Sequence, residues 1–87
     1  DDVVTRYHVS MSVHDRAGVL SQVAAEFSNH GVSIAQVRQT ESEQGAELVV
    51  LTHRAAERDL AATVSALSEM DSVREIVSVI RLEGEDQ

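Results

Sequence analysis

The sequence predicts an α+β sandwich in which two helices cover one face of a four-stranded antiparallel sheet. Three observations lead to it: alternation of apolar and polar residues over positions 6–13, apolar residues at helical spacing in two later segments, and Val- and Ile-containing runs after each helix. They define two strand–helix–strand units in series, each long enough for a crossover connection. Right-handed crossovers then give the ferredoxin-like βαββαβ arrangement with the sheet order 4-1-3-2.

The first unit begins with a strand over Arg6–Val13, whose odd-numbered apolar side chains are expected to face the core. Apolar residues then recur at helical spacing from Val19 to Phe27 and predict the first helix. Asp15 is the expected N-cap of this helix. Gly31 is the expected left-handed residue that ends it.

A second strand is predicted over Val32–Thr40. Its apolar residues change faces between Ile34 and Ala35, which indicates either a bulge or a late start of the strand. A polar turn over residues 41–45 leads to a third strand, Glu47–Thr52. The apolar residues of this third strand occupy both faces, so we expect it to lie in the middle of the sheet.

The second unit closes the domain. A short link over residues 53–57 precedes a second predicted helix, Asp59–Met70. This helix ends before Asp71 and Ser72, and the last predicted strand is Val73–Leu82. The apolar stripe of this helix is formed by Leu60, Val64, Leu67 and Met70. We assign residues 1–5 to a linker, residues 6–83 to the folded domain and residues 84–87 to an acidic tail.

Composition limits the function. The formal net charge is −8, which argues against binding to nucleic acids or to anionic membranes, because both need a basic surface. No apolar run is long enough to span a bilayer. The absence of Cys fits a reducing compartment, so we expect a cytoplasmic protein. The chain begins at Asp1, without Met, and we interpret it as an excised fragment.

No catalytic or metal-binding constellation is evident. The four histidines, at positions 8, 14, 30 and 53, have neither HxH nor HExxH spacing and fall on different predicted elements. No nucleophile–base pair stands out. We therefore predict no catalytic residue, no metal ligand and no cofactor for this chain. His8, beside Ser10 and Ser12 on the second face of the sheet, is expected at an interface or surface, and His53 is a candidate contact to a neighbouring domain.

The most informative segment runs from Asp15 to Leu20, between the first strand and the first helix. A helix N-terminus offers unpaired N–H groups and positive dipole charge to a carboxylate. Gly18 has no Cβ, which allows either a close approach of a ligand or tight packing of helix on strand. The Asp15 carboxylate could receive an ammonium group. Amino acids carry both charges a short distance apart.

This segment, Asp15-Arg16-Ala17-Gly18-Val19-Leu20, together with Gly31-Val32-Ser33-Ile34, resembles the ACT domain pattern of Asp-Arg-Pro-Gly-Val-Leu and Gly-Val-(Asn or Ser)-Ile. The departure is Ala17, where the family usually has Pro. The resemblance implies that an amino acid binds between this loop and the second strand of a neighbouring copy. The implied effector-binding residues are Asp15, Arg16, Ala17, Gly18, Val19 and Leu20 from one copy, and Ser33, Ile34 and Ala35 from the other.

A closer resemblance involves segments such as 7–13, 48–53 and 78–84, which are similar to the C-terminal ACT domain of actinobacterial-type homoserine dehydrogenases. It implies a regulatory domain that is not itself an enzyme, a homodimer formed through ACT domains, and contact with a parent catalytic domain that uses NAD(P)H. L-Threonine is the implied effector, acting by feedback inhibition.

Three alternatives remain open at this point. The chain could be an assembly module that dimerises without a ligand, or the ACT domain of another enzyme of amino-acid metabolism. It could also be a small enzyme, such as an acylphosphatase-like phosphohydrolase, because the same fold serves several functions. The first loop has no Gly-rich phosphate cradle, which speaks against that enzyme.

Overall fold

A computed structural model of the 87-residue chain describes residues 4–15, 17–43 and 45–82. The elements follow the order β1 (Val4–Val13), α1 (Val19–Asn29), β2 (Ile34–Ser42), β3 (Gly45–Thr52), β4 (Ala55–Ala56), α2 (Glu57–Ser68) and β5 (Val73–Leu82). Among these described residues, no helix is long and apolar enough to cross a membrane.

The predicted sheet order is confirmed. β1 lies between β3 and β5, β2 lies outside β3, and every pairing is antiparallel. The structure adds one strand that the sequence analysis did not predict. This strand, β4, has two residues and pairs with Val4 and Thr5 of β1. It occupies part of the expected link after β3.

The core forms between the sheet and the two helices. The odd-numbered residues of β1 from Tyr7 to Val13 are buried, and so are Ala46, Leu48 and Val50 of the central strand β3. The helices add Val23, Phe27, Leu60 and Leu67 to the same cluster. Both helices therefore cover one face of the sheet, as predicted. The opposite face, which we call the open face, includes His8 and Ser10 of β1 and their partners on β3 and β2.

The second helix differs from its prediction in position and in one core residue. It begins directly after Ala56 and ends at Ser68, two residues earlier at each end than expected. Thr63 is fully buried beside the predicted stripe. Its hydroxyl donates a 2.8 Å hydrogen bond to the Asp59 carbonyl, which satisfies the polar group and makes burial possible.

The strand boundaries also shift. β2 begins at Ile34 and has a register irregularity between Ile34 and Gln36, so both predicted causes of the change of face, a late start and a bulge, are present. β2 and β3 extend to Ser42 and Gly45, which shortens the predicted turn. β1 begins at Val4, inside the expected linker. Residues 1–3 and the tail from 83 onward lie outside the described residues, so those assignments stay predictions.

Candidate functional site

The loop between β1 and α1 differs from its prediction in one important respect. Asp15 is not the N-cap of α1; Gly18 is, with a φ of 85°. This position requires backbone dihedrals that L side chains rarely adopt, and it moves the cap three residues beyond Asp15. Because Gly18 has no side-chain oxygen, no side chain caps the helix, and its first turn contains no acidic residue. The first N–H groups of α1 therefore lack a side-chain acceptor.

The loop is exposed and has open space at its centre. Asp15, Ala17 and Gly18 are exposed, whereas Val19 is buried and anchors the loop to the core. Apart from its neighbours along the chain, no atom of the described residues lies within 4 Å of the position that a Cβ on Gly18 would occupy. Of the two alternatives for Gly18, tight packing of helix on strand is therefore not what the structure has there, and the positive φ is the structural reason for Gly. Leu20 is 37% exposed. Arg16 lies outside the described residues.

A contact that the sequence analysis missed holds this loop in place. The Ser72 carbonyl accepts a 2.8 Å hydrogen bond from the His14 N–H. The Ser72 hydroxyl donates to Oε1 of Gln22, in the second turn of α1, at 3.0 Å. Ser72 is buried, whereas Gln22 is exposed, so the bond between their side chains is only partly buried. The sequence pattern indicated only that Ser72 ends α2; nothing local connects it to a residue 50 positions away.

The second predicted segment follows α1. Gly31, with a φ of 77°, ends the helix as predicted. The Val32 N–H bonds to the Phe27 carbonyl and the Gly31 N–H to the Ser28 carbonyl, which together form a Schellman motif. Ser33 is exposed, and its carbonyl accepts a 2.9 Å hydrogen bond from the His53 N–H, which fixes the segment against the end of β3.

An open cavity of about 390 Å³ lies beside this segment. Ser33 and Ile34 line it together with Ala24 and Ser28 of α1. Ala24 and Ser28 are four residues apart and therefore lie on the same side of the helix, as does Leu20. These small side chains leave room for another chain to approach α1 closely.

The two predicted segments lie at opposite ends of the sheet. Val13, just before the loop, pairs with Ala46 at one end of β3, whereas Ile34 pairs with Thr52 at the other end. The six-residue separation along β3 (52 − 46) corresponds to about 20 Å. One small ligand cannot touch both segments of the same chain. A site that uses both requires a second chain.

The remaining polar groups form no metal-binding cluster. Within the described residues, no group of three or more His, Asp or Glu side chains could hold a metal ion. His53 is exposed directly after β3, in contact with the Ser33 carbonyl through its own N–H. The Nδ1 of His30, just after α1, lies 2.9 Å from the Glu26 carbonyl oxygen. His8 is half-buried on the open face, and its buried Nδ1 has no hydrogen-bond partner among the described residues.

Comparison with known proteins points to one family. The family model "ACT domain" matches residues 7–71. Homoserine dehydrogenase of Mycobacterium tuberculosis is 51% identical over 88 aligned residues, which cover 94% of this chain and 20% of that protein. Homoserine dehydrogenase of Corynebacterium glutamicum is 48% identical over 82 residues, with 94% and 18% coverage. This chain therefore spans about a fifth of the length of these curated relatives.

Solved structures agree with the fold. The crystal structure of a homoserine dehydrogenase from Thiobacillus denitrificans superimposes with a TM-score of 0.84 at 27% identity, covering 94% of this chain and 18% of that one. An uncharacterised protein from Thermotoga maritima superimposes with a TM-score of 0.69 at 18% identity over 93% of this chain and 100% of its own length, which shows the fold alone.

Proposed function

The chain belongs to the ACT domain family, and on this premise we propose that it is the regulatory domain of a homoserine dehydrogenase and binds L-threonine as a feedback effector. The similarity of about half of its residues to two actinobacterial homoserine dehydrogenases supports this parent enzyme. The parent's catalytic domain and its NAD(P)H site would lie in the four fifths of those relatives that this chain does not cover. A cytoplasmic location stays a prediction.

The observation that carries the proposal is the placement of the two candidate segments at opposite ends of the sheet. If two copies associate with their α1 sides facing each other, about a two-fold axis perpendicular to α1, their α1 helices run antiparallel. The N-terminal loop of one helix then meets the C-terminal end of the other. α1 has 11 residues and is about 16 Å long, which is close to the spacing between the segments. A symmetric dimer would thus complete two identical sites.

Each group in the proposed site has a chemical role. The uncapped N-terminus of α1 would receive the effector carboxylate, and the exposed Asp15 carboxylate would receive its ammonium group. The open space at Gly18 leaves room for the ligand. The exposed Ser33 of the second copy would donate a hydrogen bond to the effector side chain, which favours an amino acid with a hydroxyl group.

The same arrangement gives a mechanism of regulation. An effector that bridges two chains prefers the arrangement of subunits in which both halves of the site meet. Its binding free energy is then available to shift the parent enzyme between states. Titration of the chain with L-threonine, combined with sedimentation velocity, tests the proposal: selective binding to a dimer is the expected result.

A second candidate function is supported by the α1 surface itself. Leu20, Ala24 and Ser28 lie on one side of α1, and Ala24 and Ser28 line a cavity together with Ile34 of β2. β2 is an edge strand whose outer side has no partner strand among the described residues. Such a surface can form a dimer whether or not a ligand binds. An assembly module without a ligand would give a stable dimer that is indifferent to every amino acid.

A further inference from the structure

A small cavity on the open face remains outside the proposed effector site. It has a volume of about 180 Å³ and is lined by His8, Gln36, Arg38, Val49 and Leu51. The strand register explains why these residues meet. His8 pairs with Leu51, which in turn pairs with Gln36, while Val49 pairs with Arg38. The cavity thus has an apolar floor from β3 and polar groups on both sides.

Two side chains of this cavity lack expected partners. No described residue makes a hydrogen bond with the buried Nδ1 of His8, which is uncommon for a buried ring nitrogen. Arg38 makes no hydrogen bond or ion pair with any described residue. Its neighbour along the open face, Glu47, accepts a 3.2 Å hydrogen bond from the Ser10 hydroxyl instead. A guanidinium and an imidazole therefore line one cavity, and the guanidinium has no acceptor among the described residues.

The charge of the cavity is opposite to that of the protein. The chain has a net charge of −8, yet no carboxylate lines this cavity, which contains an arginine and a histidine. The planar guanidinium of an arginine matches a carboxylate with two parallel hydrogen bonds. A volume of about 180 Å³ corresponds to roughly six water molecules of about 30 Å³ each. A short-chain acid fits this volume.

We propose that this cavity is a second ligand site, which binds a small aliphatic carboxylic acid. The carboxylate pairs with the Arg38 guanidinium and accepts a hydrogen bond from the His8 imidazole. The aliphatic part contacts Val49 and Leu51. This site differs from the effector site because it offers no carboxylate to an ammonium group, so its ligand needs no amino group.

Nuclear magnetic resonance of the whole 87-residue chain tests the proposal, with butyrate as the probe. The expected result is a saturable shift of the His8 ring and of the Val49 and Leu51 methyl groups. Butyramide, the neutral analogue, should cause no shift. Inorganic phosphate, which has charge but no aliphatic part, should bind at least tenfold more weakly than butyrate.

Variants locate the site and separate it from the effector site. Arg38→Gln should weaken butyrate binding about tenfold or more, because it removes a charged hydrogen-bond donor pair. The matched control is Arg54→Gln, an exposed arginine outside the cavity, which should change the affinity less than twofold. Asp15→Asn should leave butyrate binding unchanged. The proposal is overturned if butyrate causes no saturable shift, if Arg38→Gln binds like the wild type, or if phosphate or butyramide binds as well as butyrate.

Discussion

The hydroxyl of Ser72 donates a hydrogen bond to Oε1 of Gln22 across a distance of 3.0 Å. This contact joins the loop before β5 to the second turn of α1, and the Ser72 carbonyl also holds the His14 N–H at 2.8 Å. One buried serine therefore fixes both ends of the loop that carries Asp15 and Gly18. The proposed effector loop is short, exposed and glycine-containing, so its position depends on such tethers.

Replacement of Ser72 tests this role. Ser72→Ala removes the bond to Gln22, and we expect the free energy of unfolding to fall by about 1 kcal/mol. Urea unfolding measures the loss, and effector affinity should fall in parallel because the loop loses a tether. Ser68→Ala is the control, since Ser68 makes an exposed bond within α2; it should change stability by less than about 0.5 kcal/mol. Equal effects of the two substitutions would contradict the assigned role.

Asp15 offers a substitution that separates binding from stability. Because Asp15 is exposed and caps nothing, Asp15→Asn should change the unfolding free energy by less than about 0.5 kcal/mol. It should nevertheless weaken amino-acid binding about tenfold or more, through loss of the ammonium partner. Glu57→Gln, an exposed acidic residue on α2, is the control and should bind within twofold of the wild type. Unchanged affinity of Asp15→Asn would remove Asp15 from the site.

Two substitutions of Gly18 separate backbone strain at this position from the loss of open space for a ligand. Gly18→Val places a β-branched residue at a φ of 85° and should destabilise the chain by about 1–2 kcal/mol. Gly18→Asn tolerates this conformation and should cost less. Both side chains enter the open space above the loop, so both should weaken effector binding. Calorimetric titration alongside urea unfolding measures the two effects; normal binding by Gly18→Asn would show that the space is not used.

The proposed dimer depends on the small side chains of α1. Ser28→Arg places a long charged residue beside the cavity at the end of α1 and should prevent association while leaving the fold intact. Ala62→Arg, an exposed position on α2, is the matched control and should remain dimeric. Sedimentation velocity of both variants provides the measurement. A dimeric Ser28→Arg protein would place the interface elsewhere.

Because the pKa of Tyr7 is raised, we expect the free energy of unfolding to fall at alkaline pH. Burial raises the pKa of Tyr7 above 10.0; the nearby charge of Glu57 adds to the rise, and Arg81 opposes it. As the pH rises, the unfolded chain therefore loses the Tyr7 hydroxyl proton before the folded chain does. The stabilisation that comes from the raised pKa is fully present below about pH 10 and is lost as the pH rises through the pKa of the folded state. The chain contains no lysine, no Cys and one Tyr, and its seven basic residues other than His are all arginines. No side chain other than Tyr7 therefore has an ordinary pKa near 10.

The Tyr7→Phe variant isolates this effect. It removes a buried hydroxyl that has no hydrogen-bond partner, so stability near pH 7 should stay the same or rise. Above pH 10 the wild type should lose stability while the variant should not, as followed by urea unfolding and by tyrosinate absorbance. A parallel decline of both proteins would assign the alkaline loss to other groups.

The fold could be predicted from the sequence because its signals are local. The alternation over 7–13 sets the buried face of β1, and Gly31 ends α1 where the helical spacing stops. The change of face after Ile34 marks the late, irregular start of β2. Each of these signals depends on residues within a few positions of one another, and the structure confirms all three.

The site could be predicted only in part, because its geometry is not local. Asp15 has the right chemistry for an N-cap, but the left-handed conformation of Gly18 moves the start of the helix. The link between Ser72 and Gln22 spans 50 positions and has no sequence pattern. That the loop and Ser33 lie at opposite ends of β3 emerges only from the strand register, which no single segment encodes.

Calorimetric titration of the 87-residue chain with L-threonine tests the proposed effector site between two copies. Serine, valine, isoleucine, methionine and lysine serve as comparators, and thermal unfolding is followed in parallel. We expect threonine-selective binding to a dimer, with one site per chain. At a hundredfold excess over the dissociation constant, threonine should add about 2.7 kcal/mol of stability to the wild type and, at the same concentration, about 1.4 kcal/mol or less to Asp15→Asn. A stable dimer that binds none of the six amino acids would contradict the proposed effector site.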